Sequence, residues 1–277
     1  QAVTALLCGC SLAVCGLMLQ AVFRNPLADP SILGISSGAG LGVAFVMLLY
    51  GGSVSVGMLS IGGFATVLAA AFIGATAVTL LMFSLSSIIR SDAMLLIAGV
   101  MVGYLSSSII VLLSYYASEE GLRAYTLWGM GNFASVSTER LPLFSIIAIV
   151  CLSASVLLVK SLNILSLGTL YAENLGVNTR QLRGTVLIVT GILTALTTSF
   201  CGPVAFIGLA VPHIARMALH TDDYRKLLPA TILTGGGVAM VCNLACTMTP
   251  SGTMLPVNAV TPVIGAPVIL YVMTKRR

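Results

Sequence analysis

The fold class this sequence predicts is an all-α polytopic membrane protein, and three observations carry the prediction. Of 277 residues, 58% are hydrophobic and only 8% are charged, far too little charge to cover a water-soluble domain of this length. The apolar residues come in runs of about twenty, the length at which a helix crosses a bilayer core. The few Lys and Arg gather in the connections between those runs.

Nine apolar segments follow one another, at roughly 2–22, 31–50, 59–86, 93–114, 141–159, 184–201, 203–219, 228–248 and 256–273. Basic residues in short loops favour the cytoplasmic side. Arg24, Arg90, Lys160, Arg180, Arg183, Arg216, Arg225, Lys226, Lys275, Arg276 and Arg277 all fall on one set of alternate connections. The other set holds only Arg123 and Arg140, accompanied by Glu119, Glu120 and Glu139. This bias puts the C-terminus in the cytoplasm and the start of the chain outside, so the net charge of +5 is a topology signal and not a nucleic-acid one. An odd number of segments that begins in mid-run leads us to expect a helix before this sequence. The outer connection 115–140 is long, carries Trp128 among tyrosines, and fits an interface belt with a short surface helix. Segments one to four and six to nine have opposite topology, as in an inverted-repeat transporter.

Composition also excludes chemistry. The seven cysteines, Cys8, Cys10, Cys15, Cys151, Cys201, Cys242 and Cys246, lie mostly inside apolar runs and form no CxxC. They read as small hydrophobes, so no metal site, disulfide framework or cofactor is expected. No carboxylate falls in the middle of a segment, which counts against ion-coupled transport and intramembrane hydrolysis. No G-x-x-x-x-G-K-[ST] occurs, so any nucleotide must be handled by another polypeptide.

Four stretches stand out. RNPLADPSILG (24–34) places two prolines and two turn-forming side chains between apolar runs, which predicts a rigid inner turn or a constriction at a pore mouth. Gly34, Gly38 and Gly42 repeat at four-residue spacing, which suits close helix packing in lipid. The connection 160–183 mixes leucines at near-helical spacing with Gly168 and Gly176 as breakers, which predicts two short surface helices suited to docking a partner. In GPVAFIGLAVPHIARM (202–217), Pro212 interrupts an apolar helix and is followed by His213 and Arg216 at its inner end.

Together these residues resemble the FecCD-type permeases, membrane subunits of type II ABC importers for iron-siderophore, haem or cobalamin. GLMLQAVFRNPLADPSILGISSGAGLG matches the family's early signature. LLIAGV (95–100), SLGTLYAENLGV (166–177), GPVAFIGLAVPHIARM, LLP (227–229) and LPVNAVTPVIGAPVILYVM (255–273) follow in order, so the resemblance covers essentially the whole chain as one transmembrane permease domain, 1–277.

The resemblance implies about ten helices, of which the first is absent here, and a homodimer with its path on the twofold axis. It implies that 160–183 is a cytoplasmic loop coupling to a homodimeric ABC ATPase, through Leu167, Gly168, Glu173, Leu175, Gly176 and Arg180. It assigns Asn25, Leu27, Ser91 and Asp92 to a cytoplasmic gate, with Pro212, His213 and Arg216 as an inner-end motif. The other implied partners are a periplasmic substrate-binding protein, a second copy of the chain and membrane lipid. The implied location is the bacterial inner membrane, and no nucleic acid is involved. The chain departs from the family where E-L-P-x-G reads Met254-Leu255-Pro256-Val257-Asn258, and at Asn243, Thr247 and Gln1, losing charges that often meet the binding protein. The rival readings are an ion-coupled secondary carrier and a non-transporting membrane scaffold.

Overall fold

The computed structural model describes all residues except 51–53, 57–58, 62, 90, 249–253 and 276–277. Arg90, Arg276 and Arg277, which the orientation count includes, lie outside the described residues. In chain order come α1 (Ala2–Val22), α2 (Ile35–Tyr50), an antiparallel pair β1 (Val54–Val56) and β2 (Leu59–Ile61), α3 (Gly63–Ile88) and α4 (Asp92–Tyr116). Then follow α5 (Glu119–Gly129), α6 (Leu141–Leu157), α7 (Val159–Ser166), α8 (Thr169–Asn174) and α9 (Thr179–Cys201). The last three are α10 (Ile207–Leu219), α11 (Tyr224–Thr247) and α12 (Val257–Lys275).

Each expected apolar segment holds a helix, but the helices are unequal. Among the described residues α1, α3, α4, α9 and α11 are long and apolar enough to cross a membrane. The pair α6 and α7 passes together but bends by 47° at their junction, while α2, α10 and α12 are shorter apolar helices. Boundaries moved where local chemistry overrode hydropathy. The segment expected at 59–86 starts as strand β2, and its helix begins at Gly63. Helix α9 starts at Thr179, before the apolar run, because the Asn178 side chain accepts from the Gln181 N–H and caps it. The segment expected at 203–219 becomes helical only at Ile207, after Gly202 at φ 75° and Phe206 in the left-handed region at φ 69°.

Helix α1 is the centre of the molecule, buried between α9, α10 and α11. Glycine makes that centre possible. A Cβ on Gly16 would lie 1.7 Å from the Gly208 carbonyl oxygen of α10, and one on Gly9 would lie 2.3 Å from that of Gly235 in α11. Helices α2 and α3 cross in the same way, Gly38 and Gly42 against Gly74 and Ala70, as the spacing predicts. Gly34 does not share that face. It precedes α2 with φ 76° and sits against the Gly99 carbonyl of α4.

Helix α4 leaves most of its apolar surface open, including Met101, Tyr104, Leu105 and Val111. In a bilayer such a surface meets lipid or another copy of the chain. The surface helix expected in 115–140 is α5, capped by Ser118. Its Tyr125 and Trp128 lie over α2 in the space that Gly40 leaves open.

Candidate functional site

Two clusters form at the pole where the basic connections meet. The first is built on residues 24–34. Asn25 Oδ1 accepts from the Leu27 N–H at 2.9 Å, and Asp29 Oδ1 accepts from the Ser31 N–H at 2.9 Å and the Ser31 hydroxyl at 2.6 Å. Each proline, which cannot donate, is the middle residue of one of these side-chain turns, Pro26 in the first and Pro30 in the second. The turn is therefore stiff, as expected, and Leu27 projects from it, partly exposed.

The turn does not simply cap the pole, however. It folds back along α10. The Pro26 carbonyl accepts from His213 Nε2 at 2.9 Å, and a Cβ on Gly208 would lie 2.5 Å from Asp29 Oδ2. Gly208 is the residue that touches Gly16, six residues before the end of α1, so Asp29 lies about 9 Å inward of that end. A carboxylate counted with a connection thus sits deep in the protein, beside the first turn of a helix that has no side-chain cap of its own. Its negative charge complements the unpaired N–H groups there. Burial nevertheless dominates and pushes the Asp29 carboxyl above its ordinary value, opposed by the bonds from Ser31.

The inner-end motif joins this cluster to α1. Arg216 Nη1 donates to Gln20 Oε1 at 2.7 Å, Gln20 Nε2 donates to the Leu209 carbonyl at 3.4 Å, and Arg216 Nε lies 3.5 Å from Asp222. Gln20 was not singled out from the sequence. Its signal was available, since it is the one amide side chain inside the first apolar run.

The second cluster gathers the α3–α4 turn, the start of α9 and the 160–183 connection. Ser91 caps α4, accepting from the Met94 N–H at 3.4 Å. Asp92 forms an ion pair with Arg183, which also donates to the Ile89 carbonyl at 3.2 Å. Arg24 lends a second positive field to Asp92 and so connects the two clusters. A cavity of about 430 Å³ opens here, lined by Val22, Ser86, Asp92, Thr169, Glu173 and Arg183 among others. Of the four expected gate residues, Asp92 thus lines a cleft shared with the 160–183 connection and Ser91 caps α4 directly before it, while Asn25 and Leu27 belong to the α10 cluster.

The 160–183 connection holds the two short helices expected of it, α7 and α8. Helix α7 buries Val159, Leu162 and Leu165, and its Asn163 fixes the start of α11: it donates to Asp223 at 2.7 Å and accepts from the Tyr224 N–H at 2.7 Å. The Asp223 carboxylate is held below its ordinary range, first by the Arg225 N–H and then by Asn163. Gly168 at φ 121° and Gly176 at φ 83° break the chain on either side of α8.

The six expected coupling residues divide by role. Leu167 and Leu175 are exposed, Gly168 and Gly176 shape the backbone, and Glu173 accepts from the Thr179 hydroxyl at 2.8 Å. Arg180 is exposed and donates to the Ser87 carbonyl. Leu170 and Tyr171, which were not singled out, are the most exposed apolar side chains of α8. Among the described residues no group of His, Cys, Asp and Glu is arranged to hold a metal.

The opposite pole is held by Asn258. Its side chain donates to the Gly129 and Pro203 carbonyls at 3.0 and 2.6 Å and accepts from the Ala205 N–H at 3.1 Å. The departure from E-L-P-x-G therefore places an uncharged staple across α5, the 202–206 stretch and α12.

The family model of the FecCD transport family matches residues 1–275. The chain belongs to the FecCD transport family. Among curated FecCD relatives, the vitamin B12 import system permease protein BtuC of Photorhabdus laumondii is 34% identical, over 97% of this chain and 78% of that protein. The hemin transport system permease protein HmuU of Yersinia pestis is 32% identical, over 99% of this chain and 80% of that one. A solved structure ascribed to a metal-chelate type ABC transporter, in an inward-facing conformation, superposes with a TM-score of 0.88 at 31% identity, covering 99% of this chain and 84% of the other. PsaBC from Streptococcus pneumoniae, at 14% identity and a TM-score of 0.61, shares the fold.

Proposed function

We propose that this FecCD chain is the permease subunit of an inner-membrane ABC importer for a bulky metal chelate, of the corrin, porphyrin or siderophore class. Two copies enclose a path, a binding protein delivers the chelate to the outer face, and an ABC ATPase docks on the 160–183 loop. ATP hydrolysis belongs to that ATPase. The basic pole, with the C-terminus, faces the cytoplasm. One observation carries the reading: likeness to an inward-facing metal-chelate type ABC transporter over 99% of the chain, at 31% identity. The named relatives, permeases of vitamin B12 import and hemin transport systems, support the cargo class.

In this reading Asn25, Leu27, Ser91 and Asp92 form the cytoplasmic gate. The stiff Asn25–Leu27 turn is braced by His213 through the Pro26 carbonyl, so closure needs no ordering of a loose loop. Proteoliposomes holding permease, ATPase and binding protein test this with cobalamin, haemin and a ferric siderophore as cargo. L27W should lower ATP-driven uptake about tenfold, an added barrier of about 1.4 kcal/mol, while the ATPase still copurifies. Unchanged uptake by L27W removes Leu27 from the gate. Ion-driven uptake without the ATPase ends the ABC reading.

A further inference from the structure

We infer that Arg180 and Arg183 are positioning residues that form a strut between the 160–183 loop and the α3–α4 turn, with the Arg183–Asp92 pair as its charged joint. The inference rests on the permease reading above and adds the route by which motion at the motor's docking loop reaches Ser91.

Helix α3 ends at Ile88, beside the first turn of α9. The last carbonyls of a helix have no partner within it and need one from elsewhere. Here the Ser87 carbonyl accepts from Arg180 and the Ile89 carbonyl from Arg183. The two arginines stand three residues apart on α9 and so share one face of it. Two cations at the negative end of α3 also suit its dipole. The same Arg183 reaches across the turn to Asp92, the first residue of α4, where a negative charge is favoured. One side chain thus holds the end of one helix and the start of the next.

The strut continues into the docking loop without a gap. Thr179, directly before Arg180, donates to Glu173 of α8, the helix that presents Leu170 and Tyr171 outward. A displacement of α8 therefore has a hydrogen-bonded route through Thr179 and α9 to the turn that ends at Ser91. The joint is shielded, with side-chain exposures of 16% for Arg183 and 27% for Asp92, so losing one partner leaves the other charge poorly solvated. The adjoining cavity of about 430 Å³ leaves the turn room to move.

The test uses the permease–ATPase complex in lipid and a cysteine at the gate, S91C. All seven native cysteines are buried, which keeps the background low for a charged maleimide. In the S91C parent, labelling with and without ATP plus orthovanadate should differ about fivefold or more. Adding R183M should bring that ratio close to one while ATP hydrolysis continues. R183K, which keeps a cation able to donate to the Ile89 carbonyl and to pair with Asp92, should restore most of the ratio, which a purely structural role for Arg183 would not do. If R183M fails to assemble, D92N, of nearly equal volume, supplies the same comparison. A nucleotide-dependent ratio that survives R183M or D92N overturns the strut, and so does an R183K variant that folds but restores nothing. An S91C parent that assembles with the ATPase and ignores nucleotide overturns the gate assignment itself, and the strut with it.

Discussion

Asp29 has one carboxylate oxygen bonded twice to Ser31 and the other pressed against the backbone of Gly208. Burial raises its pKa, so the protonated form is the one folding favours. The sign follows: the group costs nothing below the ordinary carboxylate range. The cost grows as pH rises through that range and is complete above the folded value. D29N keeps the acceptor for Ser31 and removes the charge. At pH 7.5 the thermal midpoint of the solubilised protein should rise by ~1–3 °C, on the order of 1 kcal/mol, and its dependence on pH above the ordinary carboxylate range should flatten. A fall of similar size would show that the helix start holds the carboxylate charged. The sequence marked Asp29 as a turn former, and it is one. Its depth was not legible, because depth depends on α10 folding against residues 24–34 from nearly two hundred positions away.

At the scale of elements, close backbone approach decides which substitutions the bundle accepts. A side chain at Gly16 meets a carbonyl of α10, and backbone cannot rotate out of the way. G16V should therefore lower the thermal midpoint by ~5–10 °C, or prevent accumulation of the protein. Gly237, also helical, has nothing near its missing Cβ, so G237A should leave the midpoint unchanged or raise it slightly through helix propensity. A differential thermal scan of both variants in one detergent checks the pair. Four-residue glycine spacing announced the α2–α3 crossing. It announced nothing for α1, where Gly9 and Gly16 are seven apart and meet different partners. Hydropathy located every apolar helix yet missed the break at 202–206 and the early start of α9, because a cap and a left-handed residue outweigh average polarity there.

For the whole molecule, the family was legible because its signal is spread along the chain in a series of motifs. The ion pair between Arg183 and Asp92 was not, since nothing local ties residues so far apart. In the proposed function, assembly with a motor depends on a small outward patch of α8. Leu170 and Tyr171 are 76% and 68% exposed, so the fold itself does not need them. L170D/Y171D should leave the thermal midpoint within about 1 °C, yet lower ATPase copurification about tenfold or more, the effect of losing one apolar anchor. Normal copurification would move the docking surface off α8.

The central place of α1 also bears on how the protein is made. Helix α1 ends at Val22, whereas the helices that surround it begin at Thr179, Ile207 and Tyr224. While the ribosome works through the intervening residues, α1 must wait in the bilayer with its glycine faces turned toward acyl chains or an insertase. Native tertiary structure can close only after α9, α10 and α11 have been made, and a nascent chain arrested before α9 would hold a greasy, unmatched helix open to membrane quality-control proteases.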